Sequence, residues 1–329
     1  MIYIESKEFD PRFNLALEQY VFDEMDCSET YFMLWQNSPS IIIGRNQNAA
    51  AEIDSEYVRS RGIPVVRRLS GGGAVYHDLG NLNFTFITDR DEAGGIDFRP
   101  FCEPVVKAVG SFGAEAVISG RNDILAEGCK ISGNAQYSVG QRVMHHGCIL
   151  FSTDLTALAG ALRPDPNKIR SKGVASVRSR VANLSELLPE GTTLEMFKER
   201  LLEFAAAEGE LERYELSSQD IARVKEIKAQ RYDTWEWNWG GPLAYENSSS
   251  AYIPGCGSVS VHFSVKKGRI TEISLTGDFF GTKDPKELCE ELRGVMVNEE
   301  ELTKKLSGMR VEDYIAGITV PDLVRLLAG

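Results

Sequence analysis

Residues 67–83 read Arg-Arg-Leu-Ser-Gly-Gly-Gly-Ala-Val-Tyr-His-Asp-Leu-Gly-Asn-Leu-Asn, and no other stretch restricts the fold so much. An apolar run, Ile63-Pro64-Val65-Val66, leads into the two arginines, and alternation resumes at Ala74 and again at Leu82. The pattern predicts strand, glycine turn, strand. Glycines let a backbone approach a ligand without Cβ atoms in the way. Arginines beside such a turn suit carboxylate or phosphate oxygens. Two readings follow: a tight hairpin, or a cradle for an anion. The flanking Arg67, Arg68, His77 and Asn83 favour the cradle.

Around this stretch, short strand patterns dominate residues 116–151, with helical patterns before and after. That is an α+β arrangement, not a strict βαβ repeat. We expect a mixed or antiparallel sheet flanked by helices. Helices are predicted over residues 52–61, 98–112, 153–162, 194–207 and 218–229. Residues 232–239, with Trp235, Trp237 and Trp239 alternating with polar residues, read as a half-buried strand. Residues 167–181 are basic and aperiodic, so they read as a mobile loop. A glycine- and serine-rich break at 240–250 marks a linker and possible hinge. It separates residues 1–246 from a small α/β unit, 247–329, with a hairpin turning at Lys266-Lys267-Gly268.

The formal charge of −12 argues against a general affinity for nucleic acid or anionic membrane. No apolar run is long enough to span a bilayer. The N-terminus lacks the basic and apolar regions of a secretion signal. Six scattered cysteines show no C-x-x-C pair, which fits reduced thiols in the cytoplasm.

Two nucleotide motifs are absent. There is no G-x-x-x-x-G-K-[ST], and Tyr76 stands where G-x-G-x-x-G needs its last glycine. Lys130 lies in a short strand pattern between glycines. It is either a solvated lysine or a fixed ammonium that neutralises a carboxylate and a phosphate as they react. Asp123 is a candidate for ribose hydroxyls or Mg²⁺, which binds through one or two carboxylates plus substrate phosphates. His145 and His146 are adjacent on a strand and so face opposite sides. Cys148 shares a face with His146, so a thiol–imidazole nucleophile is one reading.

Taken together, residues 67–81, Gly120-Arg121-Asn122-Asp123, Lys130 with Ser132-Gly133, His145-His146-Gly147 and the run 172–184 resemble the lipoate–protein ligases of the A type. The likeness runs in order to about Trp239, and the C-terminal unit is similar to that family's accessory domain. The resemblance implies a catalytic domain of the biotin/lipoate ligase fold, related to class II synthetases. It implies ATP-dependent activation of lipoate or octanoate to an acyl-adenylate, with release of pyrophosphate. Transfer to a lysine of an apo lipoyl domain then releases AMP. The acceptors would be 2-oxoacid dehydrogenase E2 subunits or glycine-cleavage H protein, and the ligase a monomer. On this resemblance Lys130 is catalytic, bridging the lipoate oxygen and the α-phosphate. Arg68 holds phosphate. The backbone of Gly73, Ala74, Val75 and Tyr76 lines the mixed anhydride, and His77 and Asn83 border the pocket. Asp123 lies near adenosine or Mg²⁺, and residues 168–180 close over the adenylate. Two alternatives stand beside it: an ATP-independent acyltransferase using Cys148, and a non-catalytic lipoyl-binding module.

Overall fold

Sheets flanked by helices build the molecule in the computed structural model, which describes residues 1–90, 96–120, 122–163, 181–206, 209–239 and 246–328. The main sheet has eight strands: β1 (Ile2–Glu5), β2 (Tyr31–Trp35), β6 (Asn81–Asp89), β7 (Ala116–Ser119), β8 (Asp123–Ala126), β9 (Cys129–Val139), β10 (Arg142–Leu150) and β11 (Glu212–Arg213). Their order is β11-β1-β2-β6-β10-β9-β8-β7. β1 runs parallel to β2 and β11, and the other pairs are antiparallel. The sheet is therefore mixed and carries helices on both faces. Arg99–Ser111 and Leu194–Ala206 pack on one face, around Phe84, Phe86 and Ile149. Pro11–Asp23 and Ser218–Ile227 pack on the other, around Met33, Ile87 and Met144. Because side chains alternate along a strand, each helix layer receives every second residue.

A second sheet carries the glycine stretch. In it β3 (Ser40–Ile43) lies between β4 (Val65–Arg67), parallel to it, and β5 (Val75–His77), antiparallel. The glycines thus connect two strands that do not pair with each other. This differs from a hairpin, in which the strands either side of the turn are neighbours.

Residues 247–328 have a sheet and a core of their own. β12 (Asn247–Ile253), β13 (Gly257–Lys266) and β14 (Arg269–Gly277) pack under helices Pro285–Leu292, Glu299–Ser307 and Val320–Ala328. The unit docks on the glycine loop. Gly72 N–H points to Phe279 O at 3.4 Å, Gly277 N–H donates to Asn46 O at 2.9 Å, and Arg45 pairs with Asp284 at 2.7 Å. Phe280 enters the core of the first unit, its ring 5.5 Å from that of Phe98.

Three expectations are corrected. Residues 232–239 are not a strand: a π-helical turn, Lys228–Tyr232, precedes the helix Trp235–Trp239. The tryptophans alternate because Trp237 is stacked under Arg231 and donates to Arg67 O, while Trp235 is exposed. Part of the expected linker is strand, because β12 begins at Asn247 and its small polar side chains form an edge. The single helix at 52–61 is two, Ala49–Glu52 and Ser55–Ser60, since Asp54 accepts from Tyr57 N–H and caps a new start. The basic loop at 168–180 and residues 240–245 lie outside the described residues.

The docking explains two of the glycines. A Cβ on Gly71 would overlap the Phe279 carbonyl, and one on Gly72 would sit 3.0 Å from the Phe280 ring at a backbone φ of +90°. Gly71→Ala is expected to loosen the 247–328 unit while both cores stay folded. Small-angle scattering should show a larger radius of gyration with an unchanged circular dichroism spectrum; an unchanged radius would refute the assignment.

Candidate active site

One row of residues crosses five strands: Trp35, Asn83, Cys148, Gly133 and Asp123 are direct partners on β2, β6, β10, β9 and β8. Lys130 joins this face through a bulge. Ile124 pairs with Ser132 but Leu125 pairs with Lys130, so Ile131 is an extra residue on β9. Without it Lys130 would share the face of Ser132 and Asn134. With it, Lys130 Nζ lies 3.4 Å from the place a Gly133 Cβ would occupy, and 2.6 Å from Asp123 Oδ1. Both side chains of that pair are about one-third exposed, so the ammonium is fixed yet reachable.

Arg68 is wholly buried and makes four hydrogen bonds. Nε donates to Ser70 Oγ at 3.0 Å, Nη1 to Ile42 O at 3.2 Å, and Nη2 to Gly71 O and Gly73 O at 2.7 and 2.8 Å. Burial pushes the guanidinium down to about 10, so it stays charged at neutral pH. Its grip sets the direction of the loop. A trans peptide points its C=O and N–H opposite ways. With Gly73 O turned to Arg68, the Ala74 N–H faces away from it. Among the described residues, no protein acceptor takes the N–H of Gly71, Gly73 or Ala74. The loop therefore presents free donors, as an anion site needs.

Arg67 faces elsewhere. Its guanidinium donates to the carbonyls of Gly44, Arg45, Gln47, Trp237 and Asn238. It ties β4 to the 44–47 turn that meets Gly277 and Asp284, and to the Trp235–Trp239 helix.

Next to the row, His146 bridges two groups. Nδ1 lies 2.9 Å from Glu18 Oε1 and Nε2 lies 2.6 Å from Ser70 Oγ. Thr85 Oγ1 also donates to Glu18 and accepts from the Trp35 indole N–H. Both nitrogens of His146 are thus engaged, and neither activates Cys148. Burial raises the Cys148 thiol, with Lys130 and Arg68 opposing. The thiol–imidazole nucleophile is not formed. Asn83 is 1% exposed, and neither amide atom has a protein partner. A buried amide costs free energy unless it is paired, so this one is placed for a ligand.

Most of the candidate residues gather here. Asn83, Asp123 and Lys130 share the face of the row, His77 lies beside Trp35 at its β2 end, and Arg68 joins through Ser70 and His146, whereas Val75 and Tyr76 are held in β5 against β3. Asp123 is a lone carboxylate: no group of three acidic, histidine or cysteine side chains forms a metal cluster among the described residues. Among the described residues its second oxygen takes no hydrogen bond, which fits a cation shared with substrate phosphates. Sequence reading missed Glu18, although a carboxylate on the buried face of the helix Pro11–Asp23 is an available signal.

A mixed sheet that fixes the Lys130–Asp123 pair, with a glycine loop of free N–H donors, has the charge and donors that an acyl-activating ligase needs. Residues 10–206 match the lipoyl protein ligase A/B catalytic domain, and residues 243–327 match the bacterial lipoate protein ligase C-terminus. The chain belongs to the lipoate–protein ligase family. It is 42% identical to the lipoate-protein ligase LplJ of Bacillus subtilis over 99% of this chain and 100% of that one. It is 41% identical to lipoate–protein ligase 1 of Staphylococcus aureus, covering 97% of each. A solved lipoate-protein ligase A bound with ATP superposes with a TM-score of 0.62 at 26% identity, covering 73% of this chain and 98% of that one. Plasmodium falciparum LipL1 with lipoate shares the fold at a TM-score of 0.80 and 23% identity, over 99% of both.

The buried histidines predict a pH effect. Burial first, then nearby charge, pushes His77 down to about 3 and His145 well below its ordinary range. An unfolded imidazole titrates near 6.5. Between those values the unfolded chain binds protons that the native rings refuse, so stability falls as pH drops. The slope is about 1.4 kcal/mol per pH unit for each ring. The urea midpoint should fall between pH 6 and pH 5, and less steeply in His77→Phe. A flat midpoint would show that the native rings take up protons.

Proposed function

We propose that this chain joins lipoate, or octanoate, to a lysine of an apo lipoyl domain in two steps: ATP-dependent formation of the acyl-adenylate with release of pyrophosphate, then transfer with release of AMP. Its acceptors are the lipoyl domains of 2-oxoacid dehydrogenase E2 subunits or glycine-cleavage H protein. A ligase from Thermoplasma acidophilum, 27% identical and with a TM-score of 0.64, has been solved in a study of that ligase and its E2 lipoyl domain. The observation that carries the reading is the bulge-directed Lys130, fixed beside Asp123 and Gly133 on the face that also holds the unpaired amide of Asn83.

Carboxylate and triphosphate repel each other, so bringing them together needs fixed positive charge already in place. The Lys130 ammonium lies between the carboxylate oxygen and the α-phosphate, lowering the repulsion as the oxygen attacks. The Ala74 N–H and its neighbours bind the anhydride oxygens. Mg²⁺ would be held by Asp123 with the phosphates, where it supplies further charge neutralisation. The absence of a Cβ at Gly133 leaves room for the acyl link beside Lys130.

Mass spectrometry of apo lipoyl domains incubated with the protein, ATP, Mg²⁺ and lipoate should show addition of one lipoyl mass. Omitting ATP should abolish it. Lys130→Ala should reduce both ATP–pyrophosphate exchange and transfer by at least about a hundredfold; near-normal exchange would remove Lys130 from the first step. Cys148→Ser should keep ATP-dependent ligation, and its loss would reopen the thioester route.

A further inference from the structure

Among the described residues, which include all four histidines, His77 is the one with a ring nitrogen that finds no protein partner. His145 meets Gln136 and Asn134, His146 meets Glu18 and Ser70, and His262 meets Ser248 and Thr276. The His77 ring is buried on β5, with Trp35 beside it at 6.0 Å. Arg68 and His146 are the charged or titratable groups that act on it.

A chain of amides fixes where its proton sits. Asn14 Nδ2 donates to the backbone carbonyls of Glu8 and Gln36, each at 2.9 Å, and Asn14 Oδ1 accepts from Ser6 Oγ at 2.6 Å. A carbonyl only accepts, so this amide cannot be turned over. The same nitrogen lies 2.9 Å from Asn37 Oδ1, so its two hydrogens are shared among three acceptors, and a second NH2 group at that place would set donor against donor. Asn37, fully buried, must then turn its own nitrogen to His77 Nδ1, 3.1 Å away. An amide nitrogen only donates, so Nδ1 accepts and the neutral ring carries its proton on Nε2. Burial keeps the ring neutral.

We infer that Asn14 and Asn37 are positioning residues that set His77 as a fixed, neutral Nε2–H donor to substrate bound beside Trp35. The inference rests on the ligation reading above and adds the sense of one hydrogen bond to it. A neutral imidazole holds its N–H tightly, so it stabilises charge on oxygen without releasing a proton. His77 lies on β5, and its ring stands beside Trp35, at the β2 end of the row that runs through Asn83 to Asp123. Asparagine is a poor residue for the interior of a helix, and a buried one at position 14 is accounted for by this chain of bonds.

Nitrogen-15 NMR on the full chain labelled only at histidine tests this, since there are four rings to resolve. His77→Phe assigns the signal. The wild-type ring should show the Nε2–H tautomer from pH 5 to pH 9. A non-hydrolysable acyl-sulfamoyl adenosine should shift the Nε2 resonance; octanoate alone and AMP alone report whether the acyl or the phosphate oxygen is the acceptor. Asn37→Asp should move the proton to Nδ1, because a carboxylate accepts there. Its kcat should fall at least tenfold at pH 8 with an unchanged KM for the lipoyl domain. Activity should recover toward pH 6, as the ring becomes doubly protonated and Nε2–H returns. A wild-type Nδ1–H tautomer, or titration between pH 5 and pH 9, overturns the inference, whatever Asn37→Asp does. Calorimetric binding of the analogue without any change at His77 removes the donor role and leaves ligation intact. A protein that binds no analogue sinks the ligation reading and this inference with it.

Discussion

The hold of Arg68 on the carbonyls of Gly71 and Gly73 is the interaction on which the site depends. A loop of consecutive glycines has more conformational freedom than any other loop of its length, and most of its conformations do not line up N–H groups. A guanidinium presents donors in a rigid planar fork. Here that fork takes the carbonyls from one side, so the planar peptides turn their N–H groups to the other, the Gly72 N–H toward Phe279 O and the Ala74 N–H to a place with no protein acceptor among the described residues. The positive charge acts at second hand, by orienting peptide dipoles.

The paired arginines divide two tasks. Arg68 shapes the loop, whereas Arg67 gathers five carbonyls from the 44–47 turn and the Trp235–Trp239 helix. That turn and Gly72 are where residues 277–284 dock. The glycine loop is therefore shared: Ser70 at its start bonds Arg68 and His146, and Gly71 and Gly72 lie under Phe279 and Phe280.

Much of the site was legible as residue type. A glycine triplet flanked by arginines, a lysine between glycines and a nearby aspartate suit charge-neutralising chemistry, although a plain hairpin and a solvated lysine give the same local patterns. The opposed faces of His145 and His146 followed from strand alternation alone. What could not be read was direction. Lys130 faces the site because one extra residue, Ile131, shifts the phase of β9, and no local pattern announces a bulge. The tryptophans at 235, 237 and 239 show the converse error. Their alternation imitates a strand, but contacts with Arg67 and Arg231 hold a helix instead.

The sequence by itself determined the α+β class, the strands that flank the glycines, and the chemical character of the site, because these depend on periodicity, backbone freedom and charge. Only the tertiary structure decided which donors are free and which are occupied. Arg67 and Arg68 are identical side chains one position apart, yet one anchors the second unit's docking turn and the other shapes an anion cradle. His77 and His146 are both buried imidazoles, yet one keeps a bare N–H and the other is filled at both nitrogens. Those differences come from partners up to 171 residues away along the chain, and hydrogen-bond saturation is a property of contacts rather than of composition.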